Sequence, residues 1–399
     1  MKEIKNYTVR GFRAGAVEAA IKKPGRLDMS LIYSDVPAVP AAVFTKNSVK
    51  AAPVLLDMEA AKGRAVRAIV ANSGNANACN GAGGMKDALK TAHLMGEALG
   101  VNTSDIFVAS TGVIGAPLPM DRIAKGIKLL PAALKEDGLP DAARGIMTTD
   151  TFPKIYGVSE RIGGKDIRIA GIAKGSGMIN PNMATMLSFV ITDAAVEKRA
   201  LQAALKEGVD NSFNCVTVDG DTSTNDTVIV LANGMAGNRV ITRSSAEYGQ
   251  FKKMLGAVLL ALAKMVAKDG EGATKLVEVM VEGAKSPAEA KLAAKAVSNS
   301  PLVKTALFAE DANWGRIACA AGYSGAKMDA EKLEIWFDKV GLVKNGVGLG
   351  PNAEAKASEV LKKKEYKITV KLGAGDASAR VFTTDLSYEY VKINAGYRS

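Results

Sequence analysis

Two periodicities alternate along the 399 residues. Runs rich in β-branched residues, VRAIVANSG at 66–74, LSFVIT from 187 and DTVIVLA from 226, read as strands, and VTVDGD at 216–221 is strand-like as well. Between them the period lengthens to that of a helix. KDALKTAHLMGEAL places Leu89, Ala92, Met95 and Leu99 on one stripe, and helices are predicted at roughly 85–99 and 121–135. A helix capped by Thr192 or Asp193 should follow LSFVIT. A long one, SSAEYGQFKKMLGAVLLALAKMVA, should open at a serine cap. From about residue 284 the character changes: Ser286, Pro287 and Glu289 have the spacing of a capping box, and KLEIWF, EYKITVKL, ARVFTT and EYVKIN read as strands of a mostly antiparallel sheet. The pattern predicts an α+β chain with a separate, smaller C-terminal α+β domain over 284–399.

The segment KGSGMINPNMATMLSFVITD, residues 174–193, carries the most chemistry. Gly175, Gly177, Asn180, Pro181 and Asn182 turn the chain sharply, and the strand that follows holds its start rigid. Thr185 stands at that junction. Its hydroxyl can attack the carbonyl of Ala184, shift the peptide bond to an ester and leave water to complete the cut, which makes Thr185 a new N-terminus. A free threonine carries an α-amine that titrates near pH ~8, so the nucleophile brings its own base. The chain offers little else: its one histidine, His93, lies on an amphipathic helix, where a lone histidine is usually structural, and a Ser-His-Asp triad is not expected.

Composition narrows the classes. The formal charge of +11 should attract carboxylates and phosphates, although Lys-rich stretches such as KKPGR and LKKKEYK read first as solvated faces. No zinc-finger spacing, aromatic RNP-like string or basic arm supports nucleic-acid binding. Cys79, Cys215 and Cys319 are odd in number and without a CxxC pair, so neither a disulfide framework nor a zinc site is indicated, and a reducing cytosol fits. The start MKEIKNYTVRGFRAG lacks an apolar h-region and a transit-peptide composition. LGAVLLALAKMVA contains Lys264 and is too short for a bilayer, so no membrane span is expected. DGDTSTNDT fails as an EF-hand loop, with Thr224 and Val230 at its sixth and twelfth positions, and no metal is called for. GAGGMK at 81–86 lacks the Walker ending.

GMINPNMATML, with ASTGVIG at 109–115, MTTDTFPK at 147–154, TVDGDTSTND at 217–226 and DANWGRIACA at 311–320, resembles the ornithine acetyltransferase family, the glutamate N-acetyltransferases of arginine biosynthesis. The likeness runs from GFRAGAV to INAGYRS. It implies a layered α/β/β/α sandwich made by a fragment 1–184 (alpha) and the start of a second fragment, 185–283 (beta), with the tail of 284–399 returning to the site. It implies Thr185 as nucleophile after cleavage between Ala184 and Thr185. Thr111 and Gly112, which alone would pass for an ordinary strand-exit turn, become the oxyanion hole. A substrate-binding role passes to Thr148, Lys174, Thr185, Glu271, Asn394 and Ser399. Related chains commonly carry an acidic residue where this one has Gly396, which bears on contacts from the tail.

The expected reaction is acetyl transfer from N2-acetylornithine to glutamate through a ping-pong acetyl-enzyme, without a metal or bound cofactor. Some members also accept acetyl-CoA as co-substrate. The resemblance further implies a cytoplasmic heterotetramer of two alpha and two beta fragments. Two rivals remain open from the residues alone: an aminopeptidase or amidase of similar architecture, in which water takes the acyl group, and a glycine-rich binding protein in which 174–193 is only a turn and a strand.

Overall fold

The computed structural model describes residues 1–63, 65–180 and 186–396, which fall into two compact units, one of 1–214 with 221–266 and one of 215–220 with 267–396. Thr185 and Ala184, like Ser399, lie outside the described residues.

In the first unit the strands are β1 (Lys2–Glu3), β2 (Phe12–Val17), β3 (Met29–Phe44), β4 (Val66–Asn75), β5 (Ile106–Val113), β6 (Lys154–Ile162), β7 (Lys165–Lys174), β8 (Leu187–Thr192) and β9 (Thr227–Ala232). The helices are α1 (Ala52–Ala60), α2 (Gly81–Leu99), α3 (Met120–Leu129), α4 (Leu139–Gly145), α5 (Lys198–Asp210) and α6 (Tyr248–Lys268), the last reaching just past the unit's end. The strands are ordered β1-β6-β7-β8-β9-β3-β4-β5, with β2 paired to β3. β3 serves both halves of this array. Met29–Tyr33 pair with β4 and Val39–Phe44 with β9, and the ladder with β4 breaks between Tyr33 and Ala38, where Pro37 interrupts the strand. The chain can therefore bend and stack one half on the other.

Strict alternation fills both faces of the β3-β4-β5 half. Ile32, Ile69 and Phe107 point into one apolar core with Ile172, Phe189 and Ile229 of β7, β8 and β9, whereas Leu31, Val70 and Val108 point into another with Met95, Ile123 and Ile127 of α2 and α3. On the opposite side α6 lies against β7, where a Cβ at Gly171 would meet Leu262 at 3.1 Å, and α5 packs on α6 at Gly208. The order helix, sheet, sheet, helix is the expected sandwich.

In the second unit β10 (Leu276–Ala284), β11 (Glu334–Phe337), β12 (Val340–Lys344), β13 (Val347–Gly348), β14 (Glu365–Lys371) and β15 (Ala377–Thr384) are ordered β13-β12-β11-β14-β10-β15, antiparallel except for β10 with β14. The helices are α7 (Pro287–Asn299), α8 (Pro301–Phe308), α9 (Trp314–Gly322), α10 (Pro351–Leu361) and α11 (Tyr388–Gly396). Ala290, Ala293 and Val297 of α7 bury against Val277, Val279 and Val381.

Local expectations divide instructively. Ser286 caps α7 by accepting from the Glu289 N–H at 3.2 Å, but Glu289 Oε2 accepts from Lys327 N at 2.8 Å. EYVKIN is not a strand. It belongs to α11, where Glu389 pairs with Lys392 at 3.3 Å and Asn394 Nδ2 donates back to the Tyr390 carbonyl at 3.0 Å, so local i to i+3 and i+4 contacts take the place of a partner strand. VTVDGD contributes one bridge, Val216 to Phe382, before Gly220 turns away at φ +86°. Thr192 and Asp193 cap no helix: the Thr192 hydroxyl donates to the Arg168 carbonyl, Asp193 Oδ1 accepts from the Arg168 N–H, and α5 starts only at Lys198. The helix expected over 121–135 gives way after Leu129 to a 3-10 turn at Leu130–Ala133, with Pro131 at its start. α6 begins at Tyr248, because Ser245 is spent on a turn with Thr242. On α2 the buried stripe is Ala88, Ala92 and Met95, and Leu89 is exposed.

Lys304 on α8 is 3 % exposed and donates to the Thr383 hydroxyl, to the Thr384 hydroxyl and to the Thr384 carbonyl. Burial pushes its ammonium down to about 8 against the charges of Asp385 and Asp219. Between about pH 8 and pH 10.5 the unfolded chain then holds a proton at this site that the folded chain has lost, so stability from this group rises with pH across that window. Urea melts across the same window should show this rise, about 3 kcal/mol at most, in the wild type and its loss in Lys304→Met. Equal slopes in the two proteins would contradict the assignment.

Candidate functional site

Backbone geometry comes first. β5 runs parallel to β4 and ends with Thr111 and Gly112, the latter opposite Gly74. Gly112 has φ +136°, and a Cβ there would stand 2.3 Å from the carbonyl carbon of Gly74 and 2.5 Å from Asn75 N. Glycine is thus required twice over, by the dihedral and by the close approach of two backbones.

Across the sandwich, β7 ends at Lys174, paired with Leu187 at the start of β8, and Leu187 pairs in turn with Thr227 of β9. The loop between β7 and β8 contains the predicted cleavage point. Lys174 is 8 % exposed and its Nζ donates to Thr111 Oγ1 at 3.3 Å, which joins the lysine ahead of the loop to the hydroxyl at the end of β5. With its lone pair engaged by an ammonium, the Thr111 hydroxyl keeps its own proton to donate elsewhere.

Asp150 organises the same region. Its Oδ1 accepts from Lys154 Nζ at 2.6 Å and from Gly175 N at 2.7 Å, and its Oδ2 accepts from Thr148 N at 2.9 Å. Burial alone would raise this carboxyl. The charges of Lys174 and Lys154, the Lys154 hydrogen bond and the Thr148 N–H outweigh burial and hold it well below the usual carboxylate range. The side chains of Asp150 and Lys154 are both fully buried, and removing one member of such a pair costs about 3–5 kcal/mol because the other charge is left unpaired. Arg26 closes the outer side by donating to the carbonyls of Met147 and Thr148. Thr148, Lys174 and Thr111 are therefore joined through one carboxylate and the start of one loop.

A polar network fixes the strand ends. Ser110 Oγ donates to Asn72 Oδ1 at 2.6 Å, Asn72 Nδ2 donates to the Asn75 carbonyl at 2.9 Å, and Asn75 Oδ1 accepts from Asn77 N at 2.8 Å. Asn225 donates to the carbonyls of Ala76 and Ser110. Asp226 beside it is buried. Burial pushes its carboxyl well above the ordinary value, against the Ser223 hydroxyl and the Lys174 charge, and among the described residues its Oδ2 has no hydrogen-bond partner.

In the second unit, Glu271 Oε2 accepts from Asn394 Nδ2 at 2.8 Å, so these two predicted substrate residues are also brought together. Gly272, at φ +68°, and the Ser387 hydroxyl, which donates to the Gly272 carbonyl at 2.5 Å, hold the Glu271 turn against the start of α11. His93 is exposed on α2, 3.4 Å from Glu97. The three cysteines form no disulfide, and no group of three or more His, Cys, Asp or Glu residues among the described residues could hold a metal ion. No helix among them is long and apolar enough to cross a membrane. Asp150 and Asn225 were not singled out from sequence, although both lie inside quoted motifs, MTTDTFPK and TVDGDTSTND.

Comparison with known proteins agrees with these motifs. The model of the ArgJ family matches residues 13–399. The arginine biosynthesis bifunctional protein ArgJ of Geobacter sulfurreducens is 58 % identical over 98 % of this chain and all of its own length. Its counterpart from Symbiobacterium thermophilum is 52 % identical, covering 98 % of this chain and 97 % of that protein. Among solved structures, a chain of the Bacillus halodurans arginine biosynthesis bifunctional protein argJ is 45 % identical with a TM-score of 0.52, and 53 % of this chain covers the whole of it. By fold, motifs and near full-length identity, the chain belongs to the ArgJ family.

Proposed function

We propose that this chain is a self-cleaving glutamate N-acetyltransferase that moves the acetyl group from N2-acetylornithine to glutamate, with acetyl-CoA as a second donor. The Thr185 hydroxyl attacks the Ala184 carbonyl; collapse of the adduct breaks the C–N bond, which frees the Thr185 α-amine and leaves an ester, and water then cleaves that ester to free the hydroxyl and the Ala184 carboxylate. In each cycle the Thr185 hydroxyl adds to the acetyl carbonyl while its proton passes to that amine. The tetrahedral oxyanion takes hydrogen bonds from the Thr111 hydroxyl and the Gly112 N–H. Collapse breaks the C–N bond, the amine returns the proton to ornithine, and glutamate then attacks the acetyl ester by the reverse sequence. One amide is exchanged for another, so no ATP, metal or bound cofactor enters.

Lys174, Thr148, Glu271, Asn394 and Ser399 bind the amino-acid portions, Lys174 facing the α-carboxylate and Glu271 the ornithine ammonium. The two fragments stay associated as a cytoplasmic heterotetramer of two alpha and two beta chains.

The observation that carries this reading is the contact of Lys174 with Thr111, which sets a hydroxyl donor and a cation beside the loop that leads to Thr185. A second support is the solved relative whose whole chain corresponds to 53 % of this one, the share expected of a fragment that begins at Thr185. The test is product partition. With N2-acetylornithine and glutamate the protein should form N-acetylglutamate in excess of free acetate; acetate as the dominant product would favour an amidase, and no product a binding protein.

A further inference from the structure

Thr111 is preceded by Ser110, whose carbonyl accepts from Asn225 Nδ2 at 2.8 Å. The second proton of the same nitrogen goes to the carbonyl of Ala76, just beyond β4, at 2.6 Å. Asn225 Oδ1 accepts from Thr224 Oγ1 at 2.6 Å, which fixes the orientation of the amide. The side chain is 6 % exposed and its two donors are both committed to the ends of β4 and β5.

The backbone around Asn225 belongs to the other half of the sandwich. The Asp226 carbonyl accepts from Thr45 N at 2.9 Å, the Thr224 carbonyl accepts from Ala51 N at 3.0 Å, and Thr227 N donates to the Met186 carbonyl at 2.9 Å. Met186 is the residue bonded to Thr185. β5 and β9 are not neighbours: β3 and β4 lie between them in the strand order. Two hydrogen bonds, one at Ser110 and one at Met186, nevertheless connect the strand that ends in Thr111 and Gly112 to the residue after Thr185.

We infer that Asn225 is a positioning residue, a strut that fixes the ends of β4 and β5, and with them the proposed oxyanion donors at Thr111 and Gly112, relative to the strand ends that hold Met186. The inference rests on the proposed roles of Thr185, Thr111 and Gly112. A buried amide suits the task because it donates twice in one plane, to one carbonyl at the end of each strand. Displacement of a reacting group by about 1 Å can lower rate about a hundredfold while leaving binding groups in place. Asn72 and Ser110 still hold β5 to β4 without Asn225, so loss of the strut should leave the sheet formed.

The test uses the cleaved, full-length protein and follows acetyl transfer from N2-acetylornithine to glutamate. In Asn225→Ala, kcat should fall about 10- to 100-fold with KM for N2-acetylornithine within about twofold of wild type. Thr224→Val, which only frees the amide to rotate, should show the same split at about threefold and carries the test should Asn225→Ala fail to fold. In a Thr111→Ala background, Asn225→Ala should lower kcat by a smaller factor than in the wild-type background, because one of the two donors it aligns is gone. Equal losses in both backgrounds, or a raised KM at unchanged kcat, would overturn the strut. If Thr111→Ala is itself as active as wild type, the oxyanion assignment fails and the strut with it. If Thr111→Ala is impaired while Asn225→Ala and Thr224→Val match wild type, only the strut fails.

Discussion

Replacing Thr185 by alanine should leave one uncut polypeptide of 41.6 kDa and lower acetyl transfer by a factor of roughly a million, the scale on which loss of a nucleophile acts. Both effects have one cause. In the proposed mechanism the hydroxyl that cuts the chain is also the one that carries the acetyl group, and cleavage frees the amine that serves as base. Among the described residues the one histidine is exposed on α2, and the buried Lys154 is committed to Asp150. Thr185→Ser keeps a hydroxyl and should still be cut and still turn over, at a reduced rate. Denaturing electrophoresis and a transfer assay on the three proteins check the set. A Thr185→Ala chain that is cut, or that turns over at the wild-type rate, would contradict the assignment.

Gly112→Ala should be the most damaging of the conservative changes. Its methyl would have to occupy space 2.3 Å from the Gly74 carbonyl carbon, at a φ of +136° that L residues rarely adopt. Backbone strain of about 1–3 kcal/mol is expected from the dihedral alone, and the contact forces the ends of β4 and β5 apart. The proposed oxyanion donors move with β5, so kcat should fall at least about a hundredfold, by more than KM changes. Gly100→Ala is the matched control. Gly100 ends α2 at φ +66°, but no atom lies within 4 Å of the position its Cβ would take. That variant should lose about 1 kcal/mol of stability and keep wild-type turnover. Thermal melts with steady-state kinetics separate the two cases; equal kcat in Gly112→Ala and Gly100→Ala would remove Gly112 from the chemistry.

Much of the architecture was legible from residue pattern. Strands buried on both faces carry unbroken apolar stretches, AIVA within Val66–Asn75 and FVI within Leu187–Thr192, and α7 announces itself with Ser286 and Pro287. EYVKIN misled because its Tyr, Val and Ile alternate like a strand, whereas Glu389, Lys392 and Asn394 settle it as helix through contacts one turn away. VTVDGD misled in the same manner, since Gly220 at positive φ ends its pairing after one bridge.

The site was legible unevenly. Thr111 and Gly112 sit in a string specific enough to carry the family, Lys174 lies just ahead of another, and the fold brings Lys174 against Thr111 across 63 residues of sequence. Asp150 and Asn225 lie in two more of those strings, but nothing there marks them out from their neighbours. Asp150 acts on backbone N–H groups as well as lysines, and Asn225 on carbonyls 115 and 149 residues away. Backbone groups are the same at every position, so a side chain whose partners are main-chain atoms leaves no pairwise signature in a single sequence.

The central claim is that one threonine both divides the chain and carries the acetyl group. Intact mass under denaturing conditions, before and after incubation with N2-acetylornithine, tests both halves in one measurement. The account predicts two fragments divided between Ala184 and Thr185, with a single acetyl group gained only by the fragment that begins at Thr185. A full-length mass that never shifts, or an acetyl group on the fragment that ends at Ala184, would contradict it.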